Sequence, residues 1–203
     1  MKPAEYPHVK ICCISSIREA DLTIKYGASA IGLVGKMPSG PGVISDELIA
    51  EIAAGVPGDI DTFLLTSETT AEGIINHHRK VNTSTIQIVD RIDTGVYHIL
   101  RNELSAIKLV QVIHVLDEDS VTEAAMYAEY ADALLLDSGN PGIAVKQLGG
   151  TGRTHNWELS LKIREAVSIP IYLAGGINPA NVNDAFNFVK PYGIDLCSGV
   201  RTA

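Results

Sequence analysis

Two side chains stand where they could move protons. Asp137 ends the apolar run Leu134-Leu135-Leu136, so it projects from a strand end, and Cys12 sits close to the end of the first apolar run, Val9 to Ile14. A carboxyl group in a partly apolar site gains pKa and can serve as general acid or base. The same carboxylate could instead accept backbone N–H bonds within its own loop. A cysteine at a strand end is either a small buried hydrophobe or, as thiolate, a nucleophile or base. His114 and Asp117, near the end of a fifth strand, are further polar residues on the same rim, with packing or capping as their alternative roles. Three glycine clusters follow strands or long loops: Gly149-Gly150-Thr151-Gly152, Ala174-Gly175-Gly176-Ile177-Asn178 and Ser198-Gly199-Val200. Missing side chains let backbone N–H groups approach an anion, which points to phosphate, although glycines also serve simple tight turns. The histidines are scattered without metal-ligand spacing and no paired C-x-x-C or H-E-x-x-H pattern occurs, so no metal is indicated.

These residues need a scaffold that brings strand ends together. Val9 to Ile14 leads into Ser16-Ile17-Arg18-Glu19, the serine and glutamate spacing of a helix capping box. The helix through Ala20, Leu22 and Ile24 stops at Tyr26-Gly27, and Ala30 to Val34 follows as a buried strand. The alternation continues with a helix from about Ser45, a strand at Asp61 to Leu65, a helix after Thr66-Ser67, a strand at Thr85 to Val89 and a helix at Thr94 to Asn102. Strands at Ile107 to Val115, Ala133 to Leu136, Ile169 to Leu173 and Ile194 to Cys197 complete it, with helices near Ser120 to Glu129, Trp157 to Val167 and Pro179 to Phe188. Eight strands alternating with helices predict parallel pairing by right-handed crossovers, and eight regular units favour a closed (β/α)8 TIM barrel over an open sheet. The helix expected after the eighth strand is missing from the sequence, which reads as a truncated end. The long loops Gly35 to Ile44 and Ser138 to His155 both follow strands and fall on the catalytic face of such a barrel, as lids or as ordinary length variation.

At 203 residues the chain is long enough for one substantial core, so a single barrel domain over residues 1–203 is expected. A net charge of −8 without a basic run argues against nucleic acid and anionic membrane as partners. The apolar stretches are far shorter than the ~20 residues that span a bilayer. The N-terminus lacks the apolar stretch of a secretory signal, so a cytoplasmic location is the expectation. Three cysteines, two of them adjacent, fit a reducing compartment. Since neighbouring residues on a strand point to opposite faces, Cys12 and Cys13 are expected in different environments.

Longer blocks carry a resemblance. Val9-Lys10-Ile11-Cys12, Gly27-Ala28-Ser29-Ala30-Ile31-Gly32, Asp132-Ala133-Leu134-Leu135-Leu136-Asp137-Ser138, the run from Gly149 to Trp157, Leu173 to Val182 and Tyr192 to Val200 together resemble the phosphoribosylanthranilate isomerase family. The resemblance implies an Amadori rearrangement in tryptophan biosynthesis, turning an aldose with an N-linked anthranilate into a 1-amino-1-deoxyketose phosphate. It implies Asp137 as the general acid at the ribose ring oxygen and Cys12 as the general base at C2. It implies phosphate on the backbone of Gly175, Gly176, Ser198 and Gly199, with Gly150 and Gly152 nearby. Lys10 and Arg91 are the further candidates for substrate contact. No cofactor is implied, because the chemistry is proton transfer alone; the partner is a small phosphorylated substrate, and the assembly a monomer or homodimer.

The chain departs from the family pattern in four places, one of them Arg153 for lysine, which preserves the charge. The second βα loop reads Gly40-Pro41-Gly42-Val43 where the family has Ser-Pro-Arg-Tyr, whose arginine can pair with the anthranilate carboxylate. After the fourth strand Gln87-Ile88-Val89-Asp90 replaces Gln-Leu-His-Gly, so Asp90 would repel an anion if it faced the site, and Arg91 could neutralise it or supply the missing contact. Cys13 stands where glycine follows the catalytic cysteine. Three functions are therefore distinguished: this isomerase with a rearranged carboxylate contact, a related isomerase of another sugar phosphate, and a non-catalytic phosphate-binding barrel. Fold alone does not choose among them.

Overall fold

The computed structural model describes residues 7–139, 142, 148 and 154–201. Eight strands form a closed parallel barrel in chain order: β1 (His8–Ile11), β2 (Ala30–Val34), β3 (Asp61–Thr66), β4 (Thr85–Ile88), β5 (Lys108–His114), β6 (Ala133–Asp137), β7 (Ile171–Leu173) and β8 (Gly193–Leu196). The helices between them are α1 (Ile17–Lys25), α2 (Asp46–Gly55), α3 (Ala71–Val81), α4 (Gly95–Glu103), α5 (Asp119–Ala128), α6 (Trp157–Ala166) and α7 (Val182–Val189). After β8 comes a 3-10 turn, Ser198–Val200. The sequence expectation of a (β/α)8 barrel is met strand for strand. Strand β7 begins later than expected, at Ile171, because Pro170 has no N–H to give the ladder and contributes only its carbonyl, to Leu134 N–H at 3.0 Å.

Local signals work as read, with one variation. Ser16 Oγ accepts the Glu19 N–H at 3.2 Å, but the Glu19 carboxylate reaches back to Ser15 N–H at 2.6 Å instead of Ser16. Gly27, with φ of +91°, ends α1 in the left-handed region that costs other residues most.

Alternate strand residues fill the barrel. Phe63 and Leu65, Val110 and Val112, Ala133 and Leu135, and Tyr172 and Ala174 pack in one interior cluster, while Leu134, Leu136, Ile113 and Leu173 face the helices. This period of two also sets the polar residues. Asp137 follows Ala133 and Leu135 inward, Lys10 and Cys12 share the inward face of the first strand, and Asp195 and Cys197 that of the last. A substantial core thus holds Lys10, Asp137 and Asp195 on rigid strands.

Candidate active site

A pocket opens at the C-terminal ends of the strands and encloses about 750 Å³, open solvent included. Cys12, Cys13, Asp137, Gly175, Gly176, Asp195, Cys197 and Ser198 all line it, with Val89, Val112, Leu135 and Leu148 as its apolar floor and sides. The loop after β2 forms another wall through Met37, Ser39, Gly40 and Pro41. Its Gly42, at φ +80°, packs so tightly on Cys13 that an added Cβ would stand 2.5 Å from the Cys13 Cβ. The first of the two long loops is therefore part of the pocket.

Asp137, the last residue of β6, is 6% exposed. Burial holds its carboxyl above the ordinary carboxylate range, against the opposing influence of His114, the Ser138 and Gly139 N–H groups and Lys10. Its Oδ2 accepts the Gly139 N–H at 3.2 Å, so the loop-anchoring role and the acid role are compatible in one side chain. His114, in register with Asp137 on β5, donates from Nε2 to the Val89 carbonyl at 3.0 Å, which leaves Nδ1 without a hydrogen-bond partner. The rim histidine is thus neighbour to the carboxyl and anchored to the next strand.

Beneath the pocket lies a buried ion pair. Lys10 is fully buried, and its Nζ meets Asp195 Oδ1 at 2.8 Å, as the β1–β8 register of these two residues requires. Burial alone would weaken the ammonium, yet Asp195, with Cys12 and Cys13 beside it, holds Lys10 above the usual lysine range. Burial also raises Asp195, with Lys10 opposing. The Cys12 sulfur and the Lys10 nitrogen lie 2.9 and 3.1 Å from where a Cβ on Gly32 would stand, so glycine makes room for both. The buried ammonium and the Cys12 thiol are thus neighbours.

Cys13 corrects an expectation. The strand ends at Ile11, and Cys13 turns back with φ of +64°, so its side chain enters the same pocket as Cys12 instead of facing a helix. The alternation rule holds only within a strand, and left-handed backbone explains why glycine suits this position. The Cys13 sulfur is 4.0 Å from that of Cys12 and 2.9 Å from that of Cys197.

Of the anion-site residues, Gly175 (φ +79°), Gly176 (φ +65°) and Ser198 line the pocket. Gly199 supports it from behind: an added Cβ would stand 2.1 Å from the Ile177 carbonyl oxygen. Gly199→Ala should therefore push the 3-10 turn off the β7 loop and destabilise the protein by about 1–3 kcal/mol, the range for overpacking, read as a lower urea midpoint. Gly150 and Gly152 lie outside the described residues. Gly175 packs on His155 and Ser138, and His155, its Nε2 2.6 Å from Ser160 Oγ, is held down to about 4 by burial, a neutral packing residue.

The structure does not bring Arg91 to the pocket. Its guanidinium pairs with both oxygens of Glu123 on α5 at 2.6 and 2.8 Å, with the side chain 61% exposed. Asp90 is buried and accepts the Arg91 N–H at 2.9 Å; it too is absent from the lining. No lysine or arginine occurs among the described lining residues. Sequence reasoning missed Asp195 and Cys197 as site residues; inward alternation along β8 was the signal that could have found them. Among the described residues no cluster of His, Cys, Asp and Glu is placed to hold a metal, and no helix is long and apolar enough to cross a membrane.

Known proteins share the sequence pattern and the barrel. The profile of the N-(5'phosphoribosyl)anthranilate (PRA) isomerase family matches residues 9–203. The N-(5'-phosphoribosyl)anthranilate isomerase of Haloarcula marismortui is 32% identical over 196 residues, covering 96% of this chain and 87% of its own. The crystal structure of phosphoribosyl anthranilate isomerase from Thermotoga maritima superposes with a TM-score of 0.79 at 27% identity, covering 98% of this chain and 91% of that one. A further structure of such an isomerase, in complex with reduced 1-(o-carboxyphenylamino)-1-deoxyribulose 5-phosphate, gives a TM-score of 0.77 at 25% identity, with coverage of 98% and 90%. With that profile matching residues 9–203 and its strands closed into the same eight-stranded barrel, the chain belongs to the N-(5'-phosphoribosyl)anthranilate isomerase family.

Proposed function

We propose that the chain isomerises N-(5'-phosphoribosyl)anthranilate by cofactor-independent proton transfers, from Asp137 to the substrate and from the substrate to Cys12. The observation that carries this reading is that a buried carboxyl with a raised pKa and a thiol beside a buried ammonium line one pocket. Asp137, protonated, gives its proton to the ribose ring oxygen; the C1–O bond breaks and the nitrogen lone pair forms the Schiff base. Cys12, as thiolate, takes the C2 proton, and the C2–H electrons form the enolamine, which tautomerises to the ketone. A low-dielectric pocket strengthens both transfers. Gly175, Gly176 and Ser198 are the phosphate contacts in this reading, with Gly199 holding their turn.

Lys10 lies here beside the Cys12 thiol and paired with Asp195, in place of the direct substrate contact expected from sequence. Arg91 has no part. An exposed ion pair contributes about 0–1 kcal/mol, so Arg91→Ala should change kcat/KM by less than about twofold. A tenfold rise in KM for that variant would restore Arg91 as the carboxylate contact.

The test is the decay of anthranilate fluorescence when purified protein meets freshly prepared N-(5'-phosphoribosyl)anthranilate. Decay well above the buffer rate is expected. Folded protein that leaves the buffer rate unchanged would overturn the reading.

A further inference from the structure

The acid–base chemistry uses one of three thiols. The other two are the nearer pair: the Cys13 and Cys197 sulfurs are 2.9 Å apart, whereas Cys13 and Cys12 are separated by 4.0 Å. We infer that Cys13 and Cys197 are a redox-active dithiol that closes reversibly to a disulfide between the first βα loop and the end of β8, leaving Cys12 a free thiol.

Three observations favour this pair. A disulfide needs sulfurs at about 2.05 Å, so closure asks for a movement of less than about 1 Å. Adjacent residues such as Cys12 and Cys13 are poorly placed to bridge, because neighbouring Cα atoms are held about 3.8 Å apart and disulfides require wider spacing. Reactivity is also divided between the partners. The hydrogen bond with Cys13, with Arg201 nearby, holds the Cys197 thiol below its ordinary range against burial, while hydrogen bonds with Cys12 and Cys197 push Cys13 up. Arg201 is fixed in place by the Cys13 carbonyl and by Glu19 Oε1 at 3.0 Å. Cys197 is partly exposed and Cys13 buried, so the more acidic thiol is also the more accessible.

The oxidant is a small-molecule disulfide, RSSR. Cys197 thiolate attacks one of its sulfurs, forming a Cys197–SR mixed disulfide and expelling RS⁻. Cys13 passes its proton to RS⁻, giving RSH, and its thiolate attacks the Cys197 sulfur, expelling the second RS⁻, which takes up the proton Cys197 had released. Two protein thiols lose two electrons and RSSR gains them. A partly exposed pair of this kind closes labilely against a glutathione buffer and is not permanently shut.

The test needs only thiol counting and is independent of the isomerase activity. Native protein is equilibrated with reduced and oxidised glutathione over a range of ratios, quenched in acid, alkylated in denaturant and weighed by mass spectrometry. Alkylated cysteines should fall from the three present to one, returning to three with dithiothreitol. Cys12→Ser should fall from two to none, whereas Cys197→Ser and Cys13→Gly should stay at two; glycine fits the φ of +64° at that site, so one blocking variant places no strain on the turn. Three alkylated thiols at the most oxidising ratio, glutathione adducts without an internal bridge, or loss of two thiols in Cys197→Ser would each overturn the inference.

Discussion

Asp137→Asn and Cys12→Ser should each lower kcat for N-(5'-phosphoribosyl)anthranilate by about 10²- to 10⁴-fold, the range that a positioned proton donor or acceptor contributes. Asparagine keeps the shape of the Asp137 side chain, whose neighbours include the Gly139 N–H, but offers the ring oxygen no acidic proton. Serine at position 12 keeps the volume nearly constant and replaces the thiol by a hydroxyl, a much weaker proton acceptor in this role. Because both residues serve one sequence of transfers, the double variant should be little worse than the weaker single. Fluorescence progress curves under saturating substrate would read this. Asp137→Asn retaining more than about a tenth of the wild-type kcat would take Asp137 out of the acid role.

The raised pKa of Asp137 gives that prediction a second axis. The acid must be protonated to act, so the limb of the pH profile assigned to it descends as pH rises, at a value above the ordinary carboxylate range. The same shift appears in stability. A carboxyl whose folded pKa lies above its unfolded value contributes stability fully present below the unfolded pKa of about 3.9 and lost as pH rises through the folded one. Urea midpoints of wild type should therefore decline across that window relative to Asp137→Asn, which titrates in neither state.

The elements were legible in the sequence because each strand and helix announces itself locally, by apolar runs, serine caps and glycine stops. Asp137 stood out at the end of such a run, whereas Cys12 there reads first as a small buried hydrophobe and took its proposed role only from the family resemblance. What escaped was whatever depends on where the chain goes after a strand ends. Cys13 was expected on the far face, and a single left-handed residue reverses that. Arg91 was expected near the substrate, but its direction is decided by Glu123 on α5, which no local pattern around Arg91 reveals. The Lys10–Asp195 pair depends on barrel closure: the first and last strands must meet in one particular register before the two side chains touch.

That pair carries the largest stability prediction. Lys10→Met leaves Asp195 buried without its cation, and breaking a buried pair in this way costs about 3–5 kcal/mol, a large share of the typical total. Removing both charges together is different, because the desolvation of two ions is then avoided. Lys10→Met with Asp195→Leu should therefore unfold closer to wild type than Lys10→Met alone in urea titrations, provided the two apolar side chains fill the space under the pocket. Lys10 also sets the pH range. Since its folded pKa is raised, its contribution is fully present below the unfolded value of about 10.4 and is lost only as pH rises through the folded one. The wild type should hold its urea midpoint into mildly alkaline solution. If Lys10→Met instead matched wild type at pH 7, the pair would contribute nothing net to stability, and its retention would rest on the charge it places beside Cys12.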